Sequence, residues 1–129
     1  MDKSFEKGCV LVVGGSGGIG SLCAQEFARS GAKVVITYYK NEQAAIDVAD
    51  DINSDVQIYQ LDNSDPKSVE ETFQKATNDH GSINTLVNAA GFDIPQKFIS
   101  EIDIDLWKGV IDADINGFFN LVKFGLPHL

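Results

Sequence analysis

A chain of 129 residues that is 43% hydrophobic is the size of one domain with a packed core, which excludes a disordered composition. Its formal net charge of −9 and pI near 4.4 make nucleic acid and anionic membrane surfaces poor partners. Any anion it binds must be held by local dipoles, not by bulk charge.

The elements alternate along the chain. Cys9 to Val13 is a short valine-rich apolar run that predicts a buried strand. Gly18 to Ser30 has helical spacing, with Ile19, Leu22, Cys23 and Phe27 on one face and Gly31 as C-cap. Lys33 to Tyr39 predicts a second strand. Glu42 to Ile52 predicts a second helix with Asn41 as N-cap. Val56 to Leu61 reads as a third strand. Asp65-Pro66 then opens a helix that runs to about Asp79, with Asp as N-cap and Pro at the first helical position. Ile83 to Asn88 is the fourth strand. After a loop around Gly91 to Gln96, a long helix is predicted from near Ile104, capped by Asp103, to about Leu126. Leu106, Trp107, Val110, Ile111, Ile115, Phe118, Phe119 and Val122 give that helix its apolar character, which suits a core or an interface. Strand–helix alternation implies βαβ units and a parallel sheet covered on both faces. Ligands of such sheets bind at the carboxyl ends of the strands.

Cys9 and Cys23 are the two cysteines, both expected as buried thiols in a reducing compartment. With no C-x-x-C pattern and with His80 and His128 isolated, no metal site is predicted, and both histidines read as surface positions. The N-terminal MDKSFEKG is charged and without an apolar stretch, and no apolar run reaches bilayer length. The cytoplasm is the expected compartment.

One such strand end carries five glycines in seven residues, Gly14 to Gly20. Gly15-Ser16-Gly17-Gly18-Ile19-Gly20 fits G-x-G-x-x-G between a predicted strand and a predicted helix. Glycine lets the backbone turn sharply and approach a phosphate. The helix N-terminus adds unpaired N–H groups and the positive end of a dipole. An acidic chain can hold a diphosphate in this way. A tight turn without a ligand is the plain alternative.

The segments VVGGSGGIG, LDNSD and LVNAAG, in this order and spacing, resemble the short-chain dehydrogenases/reductases over essentially the whole chain. The resemblance implies an α/β, Rossmann-like, doubly wound parallel sheet, truncated after the fourth strand and the long helix that follows it. Residues 1–129 would form an NAD(P)-binding domain, incomplete relative to the family. Gly14, Ser16, Gly18 and Ile19 would line the cofactor diphosphate and ribose, with Gly17 in the same loop. Val13 stands where the family usually has threonine. Asp62 matches the acidic residue near the adenine, with Asn63 beside it, although LDNSDP is also turn-rich. Asn88-Ala89-Ala90-Gly91 resembles the family's N-N-A-G: Asn88 would hold the loop and the ribose side, and Gly91 would pass close to the nicotinamide.

NAD-binding folds usually end the second strand with a carboxylate for the ribose hydroxyls. Here Tyr38 occupies that place, followed by Tyr39 and Lys40, and the next acid is Glu42. A 2′-phosphate would not be repelled and Lys40 could pair with it, so NADP(H) is favoured over NAD(H). Tyr39, where many NADP-preferring relatives have arginine, weakens that preference.

The family's chemistry is hydride transfer between nicotinamide and a carbonyl or alcohol carbon, using a serine, a Y-x-x-x-K pair and an asparagine. Tyr38, Tyr39 and Tyr59 all lack a lysine four residues on. In the helix segment DADINGFFN, Asp114 takes the asparagine's place and Asn116 faces elsewhere. The resemblance therefore implies an NADP(H)-dependent oxidoreductase, similar to the reductases of 3-oxoacyl thioesters, of which this chain supplies cofactor binding. A non-catalytic nucleotide-binding or sensor module and a self-associating fragment are the alternatives. The fourth strand would stand at a sheet edge, and the helix with Trp107, Phe118 and Phe119 is similar to the family's subunit-pairing helix, so a homo-oligomer is expected.

Overall fold

A computed structural model of the chain describes Phe5, residues 7–52 and residues 54–129. Residues 1–4 and 6, on which the reading of the charged N-terminus rests, lie outside the described residues.

Four parallel strands form one sheet in the order β3-β2-β1-β4: β1 is Cys9–Val13, β2 Val34–Tyr38, β3 Val56–Gln60 and β4 Ile83–Asn88. Val10 pairs with Val34, Val34 with Val56, and Val13 with Asn88. Strands alternate with α1 (Gly18–Arg29), α2 (Glu42–Asp51) and α3 (Pro66–His80). The chain then runs through α4 (Ile104–Val110), a π-helical turn (Ile111–Asn116) and α5 (Gly117–Gly125). Among the described residues no helix is long and apolar enough to cross a membrane.

The period of two along a strand divides the core into two layers. Cys9, Leu11 and Val13 of β1 face α3 and α5, where they meet Val69, Phe73 and Leu121. Val10 and Val12 face α1 and α2, where they meet Ala24 and Ala45. Burying a side chain of the size of Leu11, Ile36 or Phe73 contributes about 1.5–3 kcal/mol. The sheet is thus covered on both faces.

Two helical faces differ from the expectation. On α1, Gly20 and Ala24 are buried, whereas Ile19 is 76% and Leu22 61% exposed. Small residues let α1 lie close to the sheet, Ile19 and Leu22 turn outward, and Cys23 and Phe27 pack half-buried against this core layer. Cys23 is only half-buried, unlike Cys9. On α5 the buried positions are Gly117, Asn120, Leu121 and Gly125, with Gly125 against the Phe73 ring. Trp107, Phe118 and Phe119 are 57%, 54% and 60% exposed. The histidines are not free surface residues. The His128 ring stacks on Phe73 and its Nδ1 lies 2.7 Å from Thr77 Oγ1, while His80 Nε2 lies 2.9 Å from Gln57 Oε1.

Candidate functional site

Successive strands β1, β2 and β3 step one way across the sheet and β4 lies on the other side of β1. The carboxyl ends of β1 and β4 therefore flank the point where strand order reverses, which is where open α/β sheets bind ligands. A cavity of about 560 Å³ opens there, within the range of small-molecule sites.

The first wall is the glycine loop. Gly14 has φ +74°, a conformation glycine adopts without strain, and a Cβ on it would lie 2.7 Å from Ala90 Cα. The β1 and β4 loops are therefore in direct contact, and Ala89 N–H bonds the Val13 carbonyl at 2.9 Å. The Gly14 N–H donates to Thr37 Oγ1 at 3.1 Å, and Thr37 is 2% exposed. Val13 lacks a hydroxyl, and the strand next to it supplies one to the loop.

The remaining glycines divide by what surrounds them. A Cβ on Gly20 would lie 2.2 Å from the Gly14 carbonyl oxygen, so this glycine lets α1 pack on the loop. A Cβ on Gly18 would have nothing within 4 Å, and one on Gly17 would meet only the Gly14 oxygen at 3.4 Å. The room in the loop is at Gly17 and Gly18. Helices α2, α3 and α4 are capped by the side chains of Asn41, Asp65 and Asp103. Gly17, at the N-cap of α1, offers no side chain, which leaves the first-turn N–H groups to another acceptor.

The second wall is the end of β2. Tyr38, Tyr39 and Lys40 line the cavity, with Lys40 Nζ 5.1 Å from the centre of the Tyr39 ring. Desolvation and the neighbouring Glu42 carboxylate raise the Tyr38 phenol above its ordinary value. Asp62 and Asn63, after β3, complete this side. Asp62 Oδ1 accepts from Ser64 N–H at 3.0 Å and Ser64 Oγ at 2.6 Å, so the turn role is present and one carboxylate oxygen remains. The Asn63 side chain is already committed, donating to the Ala113 carbonyl at 3.2 Å. In the π turn the Gly117 N–H bonds Asp112, five residues back, instead of the Ala113 carbonyl that an α-helical turn would use. Asn120 Nδ2 donates to the Asn63 carbonyl at 3.0 Å and closes the clamp.

The third wall follows β4. Ala89, Ala90 and Gly91 line it together with Phe92 and Asp93. Asn88 is exposed and its Oδ1 accepts the Ala90 N–H at 3.2 Å, which shapes the loop from outside the cavity. Asp114, in the π turn, accepts the Phe92 N–H through Oδ1 at 2.9 Å. Asn116 is turned away and bonds Asp112 at 2.8 Å. Gly18 and Ile19, at the first turn of α1, are likewise not part of the lining, and the other eleven cofactor candidates are. Thr37, Phe92, Asp93, Gly109 and Ala113 belong to the site and carried no motif. The one available signal was a lone threonine in an apolar strand, and Gly109 and Ala113 as small residues four apart on the long helix.

The family model of short chain dehydrogenases matches residues 8–129. The chain belongs to the short-chain dehydrogenase family. An uncharacterised oxidoreductase of Staphylococcus epidermidis is 29% identical over 129 residues, 100% of this chain and 55% of that protein. The meso-2,3-butanediol dehydrogenase of Serratia marcescens is 30% identical over 125 residues, 97% of this chain and 49% of that protein. Among solved structures, a dehydrogenase/reductase from Sinorhizobium meliloti superposes with a TM-score of 0.87 at 26% identity, covering 95% of this chain and 49% of that one. This short-chain dehydrogenase chain spans about half the length of the curated relatives it matches. Members of the family bind a nicotinamide dinucleotide. The uncapped N-terminus of α1, the open glycines and the elongated cavity suit such a group.

Proposed function

We propose that residues 1–129 are the dinucleotide-binding domain of an NADP(H)-dependent oxidoreductase. In this reading the diphosphate sits on the N–H groups at Gly18 and Ile19, while the Gly17 N–H holds the Gly14 carbonyl at 3.1 Å and keeps the loop closed. The adenosine side lies toward Tyr38, Tyr39, Lys40, Asp62 and Asn63. The nicotinamide side lies toward Ala89, Ala90 and Gly91, with Gly14 and Ser16 beneath the ribose and diphosphate and Asn88 bracing the β4 loop. The observation that carries the reading is the pairing of an uncapped α1 with glycines whose missing Cβ atoms leave open space.

When bound, the nicotinamide supplies the hydride exchanged with a carbonyl or alcohol carbon. This chain's residues bind and orient it. The named activities of relatives support that chemistry, a butanediol dehydrogenase and a sulfoacetaldehyde reductase among them. A 3-oxoacyl thioester is the substrate class we favour within it. Among the described residues Lys40 is the one cation in the lining, which supports NADP(H) over NAD(H). The test is Lys40→Glu against the parent. The NADPH-to-NADH affinity ratio falls in the variant if Lys40 meets a 2′-phosphate, and an unchanged ratio removes Lys40 from the account.

A second reading, a nucleotide-binding module without turnover, is favoured by Asp114 at the family's asparagine position. Nucleotide binding with no reductase activity toward any carbonyl would fit it.

A further inference from the structure

The charges along the cavity are unevenly placed. Among the described residues Lys40 is the single cation of the lining, and it stands beyond β2 on the same wall as the Asp62 carboxylate. Beyond β4, Asp93 is in the wall and Asp114 lies behind it. Asp114 Oδ1 is 2.9 Å from the Phe92 nitrogen and 3.8 Å from the position of a Cβ on Gly91. Its partner is an amide, not a cation, and neither aspartate takes part in an ion pair among the described residues. Both carboxylates therefore keep their charge uncompensated at that end, and Asp114 is half-buried, where screening is weaker.

An asparagine at position 114 would accept the same Phe92 N–H through its amide oxygen. The loop contact does not need the negative charge, so the charge is an additional property of this chain. The reduced and oxidised forms of a nicotinamide dinucleotide differ by one positive charge on the ring. Lys40 offsets Asp62 at one end, whereas the two carboxylates at the other have no cation beside them in the lining and match a ligand that is cationic at its nicotinamide end.

We infer that Asp93 and Asp114 set the redox-state selectivity of the site, favouring the oxidised dinucleotide with its cationic ring. The inference rests on the placement of the nicotinamide beside Gly91 in the proposed function. A unit charge acting over roughly 10 Å changes affinity by about twofold where solvent-exposed and about fifteenfold where partly buried.

The experiment is calorimetric titration of the 129-residue chain with NADP+ and with NADPH, repeated for Asp114→Asn and Asp93→Asn. The pair NAD+ and NADH is run in parallel. Asp114→Asn keeps the Phe92 hydrogen bond, and Asp93 is exposed, so neither exchange removes a folding contact. The expected result is a rise in the ratio of oxidised to reduced dissociation constants, about fifteenfold for Asp114→Asn and about twofold for Asp93→Asn, with an unchanged melting temperature. Both forms binding both variants at the parental ratio would overturn the inference and leave the dinucleotide site standing. A parent chain that binds none of the four would overturn the dinucleotide reading and this inference with it.

Discussion

Two alanine substitutions two residues of chain apart should have opposite effects. Gly18 opens α1, its φ is not positive, and an added Cβ meets nothing within 4 Å. Gly18→Ala therefore adds no strain and gains helix propensity of up to about 1 kcal/mol, less at a first turn than in a helix interior. For a domain of this size that is a melting temperature unchanged or raised by up to about 4 °C. The same methyl fills the space that a diphosphate needs. Losing one or two charge-assisted N–H bonds of about 1.5 kcal/mol each weakens NADPH binding about ten- to hundredfold. Gly20→Ala meets the Gly14 oxygen at 2.2 Å and its carbon at 2.9 Å, both backbone atoms that cannot swing away. Overpacking of that kind costs about 1–3 kcal/mol, and the melting temperature should fall by several degrees. Thermal unfolding without nucleotide, followed by calorimetric titration with NADPH, separates the two. A Gly18→Ala chain that binds NADPH as tightly as the parent would refute the placement of the diphosphate at this helix end. A Gly20→Ala chain as stable as the parent would refute the close packing of α1 on the loop.

Thr37→Val should leave the Gly14 N–H without its acceptor inside the fold, costing about 1–3 kcal/mol in urea unfolding; a loss under a few tenths would mean that the bond does not hold the loop. Burial first, then Asp79, push the Cys9 thiol up from 9.0 to about 11, against a smaller opposing pull from Lys33. The unfolded chain therefore releases this proton first, so the stability it contributes is full below about pH 9 and is lost as pH rises through about 11. Cys9→Ala should flatten that part of the stability curve, and an unchanged slope would contradict the assignment. Above pH 10 the Tyr59 phenol, raised by burial and by its bond to Asp79, continues the loss in the same direction. The exposed Trp107, Phe118 and Phe119 predict self-association at micromolar concentration in sedimentation, abolished by Trp107→Glu with Phe119→Glu, and a monomeric parent would count against it.

What could be read in the sequence follows from how local each signal is. The strand Cys9–Val13 and the capped helices at Asn41, Asp65 and Asp103 rest on neighbours within a few residues, and the structure keeps them. The buried face of α1 was misread because large apolar residues mark a core only where the helix stands off the sheet. Gly20 and Ala24 let the backbone itself approach, and Ile19 and Leu22 are left outside. The long helix was legible in extent but not in its π turn, where the Ala113 carbonyl accepts from Asn63, fifty residues away in the chain. Thr37 likewise became a site residue only when the sheet placed β2 beside the Gly14 loop, and Asp114 became a loop anchor only when β4 brought Phe92 to it. His128 read as a surface position because its partner Thr77 lies 51 residues back in the chain.

The central claim is that the open glycines at the start of α1 hold a dinucleotide. Calorimetric titration of the 129-residue chain with NADPH, and with NADH under the same conditions, tests it most directly. Saturable binding at one site, tighter for NADPH, is the predicted result. Absence of binding by either nucleotide, in a chain shown to be folded by its thermal transition, would contradict it and reduce the glycine loop to a turn between a strand and a helix.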